Sequence, residues 1–356
     1  MVLNKNKDTK AVKIDNLTNK IKKIYLDTEL KKNFFEFLTD IKYFSFNVAL
    51  WRLLCHLPVV KAKFPKIYNW FHGKFQASIK KFLFLKCRNV FEEFNSKSFN
   101  VQNENLNDDK NIWVFWWQGN DSAPLLVQNC IESIKINSGV KNVYVLSKVN
   151  FKNYVNIPNY IINKFEKGEI GPAHFSDILR MALLYQKGGI WIDATVYCSK
   201  KIPEDYFEYT LFTCRNTKEV SYDYNHFSWT PFILGTPKDS KISKLFLDCL
   251  LTYWKDQEKA IDYLFLDVIL ELIYENVPVV KIQMDNLSCN NENVMSLYKE
   301  MKSNEPFSKN RLIKLLDNET VFYKLTWKSK FKEVSNDGQV TLYNYFLHNF
   351  NQFHLK

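Results

Sequence analysis

The sequence lacks the residue patterns that mark several protein classes. It has no glycine-rich phosphate loop of the form GxxxxGK[ST], which argues against a P-loop nucleotide-binding protein. Its seven cysteines are irregularly spaced and include no CxxC pair, and their number is odd. This pattern favours neither a cysteine zinc site nor a disulfide framework, so we expect reduced thiols inside a packed core.

Long apolar runs are also missing. The most apolar stretch, residues 34–57, is interrupted by Asp40, Lys42 and Arg52, so a spanning helix would bury charges near its centre. The first residues do not combine a charged start, an apolar run and a small-residue cleavage site, as a secretory signal does. We therefore expect a cytoplasmic protein without a membrane span.

Acidic residues are scarce at the N-terminal end. Residues 1–100 carry 20 Lys+Arg against 8 Asp+Glu, whereas the remainder carries 29 against 30, so this segment holds the whole excess of positive charge. Between Asp40 and Glu92 there are ten basic residues and no acidic one, interleaved with aromatic side chains. This pattern indicates contact with an anionic surface.

Three interpretations of this basic segment remain open. In the first, the segment binds peripherally to the inner face of the cell membrane, which suits its mixture of positive charge and aromatic rings. Nucleic acid is the second, but no known recognition motif is present, so we do not expect it as a partner. The third is a helical pair that packs on the rest of the chain or forms an oligomer contact.

The chain divides into two regions that differ in their pattern of apolar and charged residues. Residues 1–104 predict a basic amphipathic helical segment, with helices at 21–57 and 62–95, and the polar run at 95–111 marks a linker. Residues 105–356 alternate short apolar runs with amphipathic helices, which predicts an α/β domain with a Rossmann-like parallel sheet. Its predicted strands are NIWVFWW, NVYVLS, IWID, YTLFTC, PFILG and VFYKLTW. Its predicted helices cover about 123–137, 172–187, 239–255 and 261–276.

The segment SDILRMALLYQKGGIWIDATVY, residues 176–197, carries the chemistry. Asp177 and Arg180 lie three residues apart on a predicted helix and share one of its faces. A Gly-Gly turn ends that helix, and the buried strand IWID then places Asp193 at its carboxyl end, where ligands bind in open α/β sheets. These three side chains should face one crevice that can hold a nucleotide-sugar. The alternative for Asp177 and Arg180 is an ordinary ion pair on the helix surface. For Asp193 the alternative is that its side chain caps a turn or helix after the strand.

This segment resembles the capsular polysaccharide synthesis family, the related glycosyltransferase family 32 and the catalytic domains of the large clostridial glucosylating toxins. The shared pattern is Ser-Asp, then Arg, Gly-Gly, an aromatic residue, an apolar residue and Asp. The resemblance covers about residues 111–330 and implies a GT-A glycosyltransferase domain. It implies that Asp177, Arg180 and Asp193 are the catalytic residues, with Gly189 in the same donor-binding motif.

The resemblance extends to the first strand and turn, WVFWWQGNDSAP. In the family a Trp at this place stacks on uracil, which implies Trp116, Gln118 and Gly119 as further donor contacts. Trp116 and Trp117 alternate along the strand, so one faces the core and the other the crevice, and Trp117 outward is the alternative.

The resemblance also implies a divalent cation, Mn²⁺ or Mg²⁺, bound by Asp193 as the first residue of a DXD-like motif. Here Thr195 replaces the second Asp, and a hydroxyl is a poorer ligand for a hard cation than a carboxylate. His348 and His354 are candidates to complete such a site, although a structural role is the simpler interpretation of His348. Asp262 is most simply a charge at the start of a helix, with an acceptor-site role as the alternative.

The resemblance implies transfer of a hexosyl or N-acetylhexosyl unit from a nucleotide diphosphate sugar, most simply a UDP-sugar. The acceptor would be a hydroxyl of a capsular or other surface polysaccharide, free or lipid-linked, and the anomeric configuration would be retained. A phosphotransferase or nucleotidyltransferase is a distant alternative, disfavoured by the missing phosphate loop. The non-enzymatic alternative is a membrane- or nucleic-acid-binding scaffold with a degenerate transferase domain, which the missing second Asp suggests.

Overall fold

A computed structural model of the chain describes residues 31–97, 110–139, 141–215 and 229–354. Residues 31–85 and the residues from Lys86 onward form two compact units. The first unit is helical, and its last helix continues into the second. Its helices are α1 (31–43), α2 (Phe46–Cys55), α3 (Pro58–Lys63) and α4 (Pro65–Ser96).

Local sequence explains where these helices begin. Ser45 has an extended backbone, and its side chain accepts a hydrogen bond from the backbone N–H of Val48, which caps α2. Pro58 and Pro65 start α3 and α4, at the position where a missing N–H costs no helical hydrogen bond. The helix predicted over 21–57 is therefore interrupted before Ser45, and its residues 21–30 lie outside the described part of the chain.

The second unit alternates strands and helices. In chain order the elements are β1 (Asn111–Phe115), α5 (Leu125–Asn137), β2 (Asn142–Leu146), α6 (Asn159–Glu166), α7 (Pro172–Lys187), β3 (Gly189–Ile192), β4 (Val196–Cys198), β5 (Phe212–Thr213), β6 (Ile233–Thr236), α8 (Lys241–Asp256), α9 (Phe265–Asn276), α10 (Pro278–Asn286), α11 (Ser296–Ser303), α12 (Lys309–Leu316), β7 (Phe322–Lys324), α13 (Leu342–His348) and α14 (Phe350–His354). The predicted α/β class, with parallel strands, is confirmed.

The main sheet has the order β2-β1-β3-β6-β5. Strand β1 is parallel to both β2 and β3, whereas β6 is antiparallel to β3 and to β5. The predicted parallel arrangement thus holds for β1, β2 and β3, and the antiparallel strands β6 and β5 make the whole sheet mixed. In the described chain between β3 and β6 there is no crossover α-helix, and strands joined without one pair antiparallel. A separate two-stranded ladder joins β4 and β7.

Strand β3 is buried on both faces. Ile190 and Ile192 pack in a core cluster that includes residues of α5, β7, α13 and α14. Trp191, which points the other way, lies under the α7 helix, with the guanidinium of Arg180 5.0 Å from its ring centre. The alternation along the strand therefore presents Trp191 and Asp193 to α7 on the same face.

None of the described helices is long and apolar enough to traverse a membrane.

Candidate functional site

Asp193 immediately follows β3, at the edge of the sheet where the parallel strands β1 and β3 both end. Its backbone N–H donates to the carbonyl of Phe232, 2.9 Å away, which ties it to the start of β6. Its side chain is 26% exposed. The carboxylate is thus held at the rim of the sheet, within reach of a ligand.

Arg180 connects the two carboxylates that the sequence predicts in the site. Its Nη2 atom lies 3.4 Å from Oδ1 of Asp177 and 3.2 Å from Oδ1 of Asp193, and its Nη1 donates to the carbonyl of Pro231. The side chain is only 6% exposed. The structure therefore brings Asp177, Arg180 and Asp193 together as the sequence predicts, while their roles as donor ligands remain a prediction.

Both oxygens of Asp193 accept hydrogen bonds. Trp191 Nε1 donates to Oδ1 over 2.8 Å, and Lys324 Nζ donates to Oδ2 over 2.7 Å. Burial is the largest influence on the pKa of Asp193 and raises it, but the charges of Lys324 and Arg180 and the hydrogen bonds from Lys324 and Trp191 together outweigh burial. The pKa of Asp193 is therefore below its usual range, and the side chain is ionised at neutral pH.

Lys324 is a site residue that the sequence interpretation missed. Its ammonium lies between Asp193 and Thr195, and its Nζ atom donates to Thr195 Oγ1 over 2.9 Å. The available signal was the Asp-Ala-Thr motif itself, because a hydroxyl where an acid is expected accepts a hydrogen bond from an ammonium as readily as it would ligate a metal. The sequence alone does not show which lysine supplies that ammonium.

His174 and Tyr263 also lie near the predicted residues. His174 Nδ1 is 3.7 Å from Oδ2 of Asp177, and its buried ring lies beside those of Trp254 and Phe265. Partial desolvation, followed by the carboxylates of Asp177, Asp193 and Asp267, raises the pKa of the Tyr263 hydroxyl. Most of the Tyr263 side chain is nevertheless exposed, so it can contact a ligand bound above the carboxylates.

The two tryptophans that follow β1 have different surroundings. Trp117 belongs to a ring cluster with Phe151, Phe165 and Phe175, with its ring centre 4.8 Å from that of Phe165. Trp116 is half-buried and meets the exposed ring of Trp327 edge-on at 5.9 Å. Trp117 thus packs among aromatic rings, and Trp116 packs against the edge of the main core, so the choice of Trp116 as the ring that faces a ligand stays a prediction.

Two other predicted donor contacts, Gln118 and Gly119, continue this turn. The Gln118 side chain is exposed, and Gly119 has φ of 90°, a left-handed conformation that favours glycine.

Gly189 lies apart from the other predicted site residues. It begins β3, at the opposite end of the strand from Asp193, with φ of 96°. A Cβ atom there would come within 2.3 Å of the carbonyl oxygen of Asn111, so close packing against β1 requires glycine. This close packing accounts for the glycine at this position, and a donor contact by Gly189 stays a prediction.

Two of the remaining candidates, His348 and Asp262, have other partners. His348 Nε2 is 3.5 Å from the Glu333 carboxylate, and both side chains are about half exposed. The side chain of His354 lies outside the described part of the structure. Asp262 Oδ1 accepts a hydrogen bond from the backbone N–H of Leu264, just before α9, which agrees with its interpretation as a charge at a helix start.

The residues around Asp193 do not fit a resident divalent cation. Mn²⁺ and Mg²⁺ bind through several oxygen ligands, whereas here the Asp193 carboxylate and the Thr195 hydroxyl already accept hydrogen bonds from Lys324, and the Asp177 carboxylate is paired with Arg180. Over residues 31–97, 110–139, 141–215 and 229–354, no group of three or more His, Cys, Asp or Glu side chains is arranged to hold a metal ion. The expected binding of a cation by Asp193 is therefore not supported by its donor set.

Comparison with known proteins gives one family match over most of the chain and matches to two curated proteins over about a third of it. The sequence profile of a family described as "Capsular polysaccharide synthesis protein" matches residues 62–346, a wider range than the resemblance at 111–330 predicted. The O-glycosyltransferase braB of Annulohypoxylon truncatum is 31% identical over 108 residues, which cover 28% of this chain and 26% of that protein. The glycosyltransferase afumC of Aspergillus fumigatus is 29% identical over 139 residues, which cover 34% and 36% respectively.

The chain thus spans only 26–36% of the length of these two relatives. Among solved structures, the PaToxG glycosyltransferase aligns over 57% of this chain and 82% of its own, with 18% identity and a TM-score of 0.35.

Proposed function

The chain belongs to the capsular polysaccharide synthesis protein family, and from that premise we propose that it is a glycosyltransferase of the GT-A type. It transfers a hexosyl or N-acetylhexosyl unit from a nucleotide diphosphate sugar, a UDP-sugar in the simplest case. The acceptor is a hydroxyl of a capsular or other surface polysaccharide. The two curated relatives, which are named as glycosyltransferases, support the general reaction.

The observation that carries this proposal is the charge cluster at the carboxyl end of β3. Asp177, Arg180, Asp193 and Lys324 supply two carboxylates and two cations, joined by contacts of 2.7–3.4 Å. Carboxylates of this kind hold sugar and ribose hydroxyls, and cations neutralise phosphate oxygens. A nucleotide-sugar presents both kinds of group, so its chemistry matches the cluster.

In the proposed arrangement each side of the cluster meets a different part of the donor. Asp177 and Arg180 contact the transferred sugar, Asp193 and Thr195 lie toward the ribose and the diphosphate, and Trp116 stacks on the base. Gln118 and Gly119 complete the turn beside the base. The family resemblance and the positions of the side chains support these roles.

We propose that transfer retains the anomeric configuration, as the family resemblance implies. Asp177 and Asp193 are both engaged by cations, Asp177 by Arg180 and Asp193 by Arg180 and Lys324, which lowers the nucleophilicity of either carboxylate. A covalent glycosyl-enzyme formed on them is therefore disfavoured. The leaving diphosphate can instead accept the proton of the acceptor hydroxyl, while the protein positions both substrates and stabilises charge.

A thermal-shift screen tests the proposed function. Nucleosides, nucleoside diphosphates and nucleotide-sugars are each added to the full chain, with and without manganese. We expect UDP and at least one UDP-sugar to raise the melting temperature, because a ligand that binds only the folded state stabilises it. If no nucleotide or nucleotide-sugar changes the melting temperature, the transferase proposal is wrong and the scaffold alternative is favoured.

The helical unit of residues 31–85 is proposed to bind the anionic inner surface of the cell membrane, where lipid-linked acceptors are assembled. Several of its large apolar side chains are exposed: Phe34, Phe35, Leu38, Ile41, Phe46, Val59, Phe64, Ile67 and Trp70. Exposed lysines accompany them, namely Lys42, Lys61, Lys63, Lys66, Lys74 and Lys81. Exposed rings and ammonium groups in one segment suit the interface of an anionic bilayer.

Not every residue of this segment is available for such a contact. The rings of Trp51 and Phe71 pack against each other at 6.0 Å, and those of Phe44 and Phe82 at 5.6 Å. Arg52 forms an ion pair with the buried carboxylate of Asp40. The membrane contact is therefore assigned to the exposed side chains named above.

Vesicle binding tests the membrane assignment. Each basic residue near an anionic bilayer contributes about 1 kcal/mol, so reversing Lys61, Lys63 and Lys66 to Glu should sharply weaken sedimentation with phosphatidylserine-containing vesicles. Binding should also weaken as salt rises, because exposed charges are screened. The matched control reverses Lys328, Lys330 and Lys332, which are exposed in the second unit and change the net charge equally. Equal loss in both triple variants, or no binding by the intact protein at low salt, would contradict the assignment.

A further inference from the structure

Lys324 lies where a DXD-like motif would direct a divalent cation. We infer that its ammonium takes the cation's role, so that donor diphosphate is neutralised by this side chain and binds without metal; this inference rests on the proposed function. The ligand class is a nucleoside diphosphate or its sugar ester. Three features of the molecule support this role: the backbone placement of Lys324, the contacts of its ammonium, and the charges that surround it.

The ladder between β4 and β7 places Lys324 beside the motif. Val196 of β4 is paired with Lys324 of β7, and the backbone N–H of Leu325 donates to the carbonyl of Thr195 over 2.9 Å. The backbone N–H of Lys324 donates to the carbonyl of Val294 over 2.8 Å. The main chain at Lys324 and Leu325 is thus hydrogen-bonded to two neighbouring segments. These bonds fix the backbone position of Lys324 next to Thr195.

The contacts of the ammonium leave it able to serve a ligand. Nζ donates to Asp193 Oδ2 and Thr195 Oγ1, and the ring centre of Phe232 lies 5.0 Å away. An ammonium has three N–H donors, and the contacts within the described residues use two of them for oxygen atoms. The side chain is 22% exposed, so the remaining donor can reach a phosphate oxygen brought by a ligand.

The charges around this place oppose a dication. A metal ion bound to Asp193 would lie close to the guanidinium of Arg180 and to the Lys324 ammonium, or would have to displace that ammonium. The two carboxylates are already balanced by the two cations, so the cluster has no net negative charge to attract a metal. Thr195 fits this arrangement, because its hydroxyl accepts a hydrogen bond from the Lys324 ammonium. A second aspartate at this position would instead favour a metal ion.

Nucleotide binding in the absence of metal is the first test. UDP, GDP, CDP and ADP, and the matching nucleosides, are titrated calorimetrically into the full chain in excess EDTA. We expect the preferred diphosphate to bind as well in EDTA as in manganese. Lys324→Met should weaken that binding roughly ten- to hundredfold, as expected for loss of a charge-assisted hydrogen bond, and leave nucleoside binding unchanged. Lys324→Arg should restore part of the affinity.

A matched control separates this effect from the loss of any lysine that pairs with a carboxylate. The ammonium of Lys141 is buried and bonded to Glu204 and to the carbonyl of Ile202, near the opposite edge of the sheet. Lys141→Met should leave diphosphate affinity unchanged. If Lys324→Met and Lys141→Met have equal effects, or if Lys324→Met has none, the inference is wrong.

Manganese binding is measured independently by the electron paramagnetic resonance signal of free Mn²⁺, without nucleotide. We expect the wild-type chain to leave this signal undiminished, whereas the double variant Lys324→Ala, Thr195→Asp should bind Mn²⁺, since it removes the ammonium and adds a carboxylate. Stoichiometric Mn²⁺ binding by the wild type that is lost in Asp193→Asn would overturn the inference.

The two proposals fail in different ways. If a nucleoside diphosphate binds only when manganese is present, the inference about Lys324 is wrong and the transferase proposal stands. If none of the four diphosphates binds under either condition, the proposed function is wrong and the inference is rejected with it.

Discussion

Asp193→Asn is expected to lower glycosyl transfer by about a hundredfold or more. The carboxylate joins Arg180 and Lys324, so replacing it with an amide removes the charge that holds both cations in place. Loss of one preorganised electrostatic contact in an active site typically costs that much in rate. The measurement is the rate of sugar transfer, or of slow donor hydrolysis, with the UDP-sugar that stabilises the protein. Wild-type turnover by a folded variant would exclude Asp193 from the site.

Glu204→Gln is the matched control for this variant. Glu204 also contacts two lysines, Lys110 and Lys141, but near the edge of the sheet where β1 and β2 begin. Hydrogen bonds from these lysines hold the pKa of Glu204 near 2, so it is ionised at neutral pH as Asp193 is. The control should lose stability without losing turnover, which distinguishes a site carboxylate from one that only pairs lysines.

The pH dependence of stability gives a second readout on Asp193. Its pKa is lower in the folded chain than the ordinary value, so its ionised form stabilises the fold above the ordinary pKa. This contribution is lost as the pH falls through the lowered pKa. In Asp193→Asn the acid loss of stability should be shallower than in the wild type, measured as melting temperature from about pH 5 downward.

Arg180→Ala is expected to lower transition-state stabilisation by roughly 2–4 kcal/mol, through loss of charge-assisted contacts inside the site. It should also lower the free energy of unfolding by about 3–5 kcal/mol, because removal of one member of a buried ion pair leaves its partner uncompensated. Here the partners are Asp177 and Asp193, whose negative charges would then be left close together. Steady-state kinetics for the donor and urea unfolding measure the two effects separately.

Arg52→Ala is the control for Arg180→Ala, since Arg52 pairs with the buried Asp40 in the helical unit. It should reduce stability and leave donor kinetics unchanged. Arg180→Lys, which keeps a positive charge but loses the planar fork, should recover stability better than it recovers turnover. Unchanged donor kinetics in Arg180→Ala would show that the link between Asp177 and Asp193 is only structural.

The spacing of apolar residues predicted best those helices and strands whose ends are marked by local residues such as proline and glycine. The helix predicted from Pro172 to Lys187 has those bounds, because proline starts it and Gly188 ends it with a left-handed backbone. The strand predicted at 209–214 covers only Phe212–Thr213 in the structure. An apolar run indicates that its residues are buried, but it does not show which of them form hydrogen bonds to a neighbouring strand. Strand direction in the second half of the sheet was likewise not apparent.

The sequence by itself determined the chemistry that lies within one short segment. Asp177 and Arg180 share a helix face through their spacing, and the turn and strand that follow bring Asp193 back to them, so local geometry sufficed for these three. Tertiary structure alone decided the place of Lys324, which is separated from Asp193 by 131 positions and comes beside it through the β4–β7 ladder. It also decided that Gly189 serves strand packing, because the Asn111 carbonyl that excludes a side chain comes from a neighbouring strand. The physical reason is the same in both cases: the deciding contact joins residues far apart in the chain, and residue spacing along one segment contains no information about such a partner.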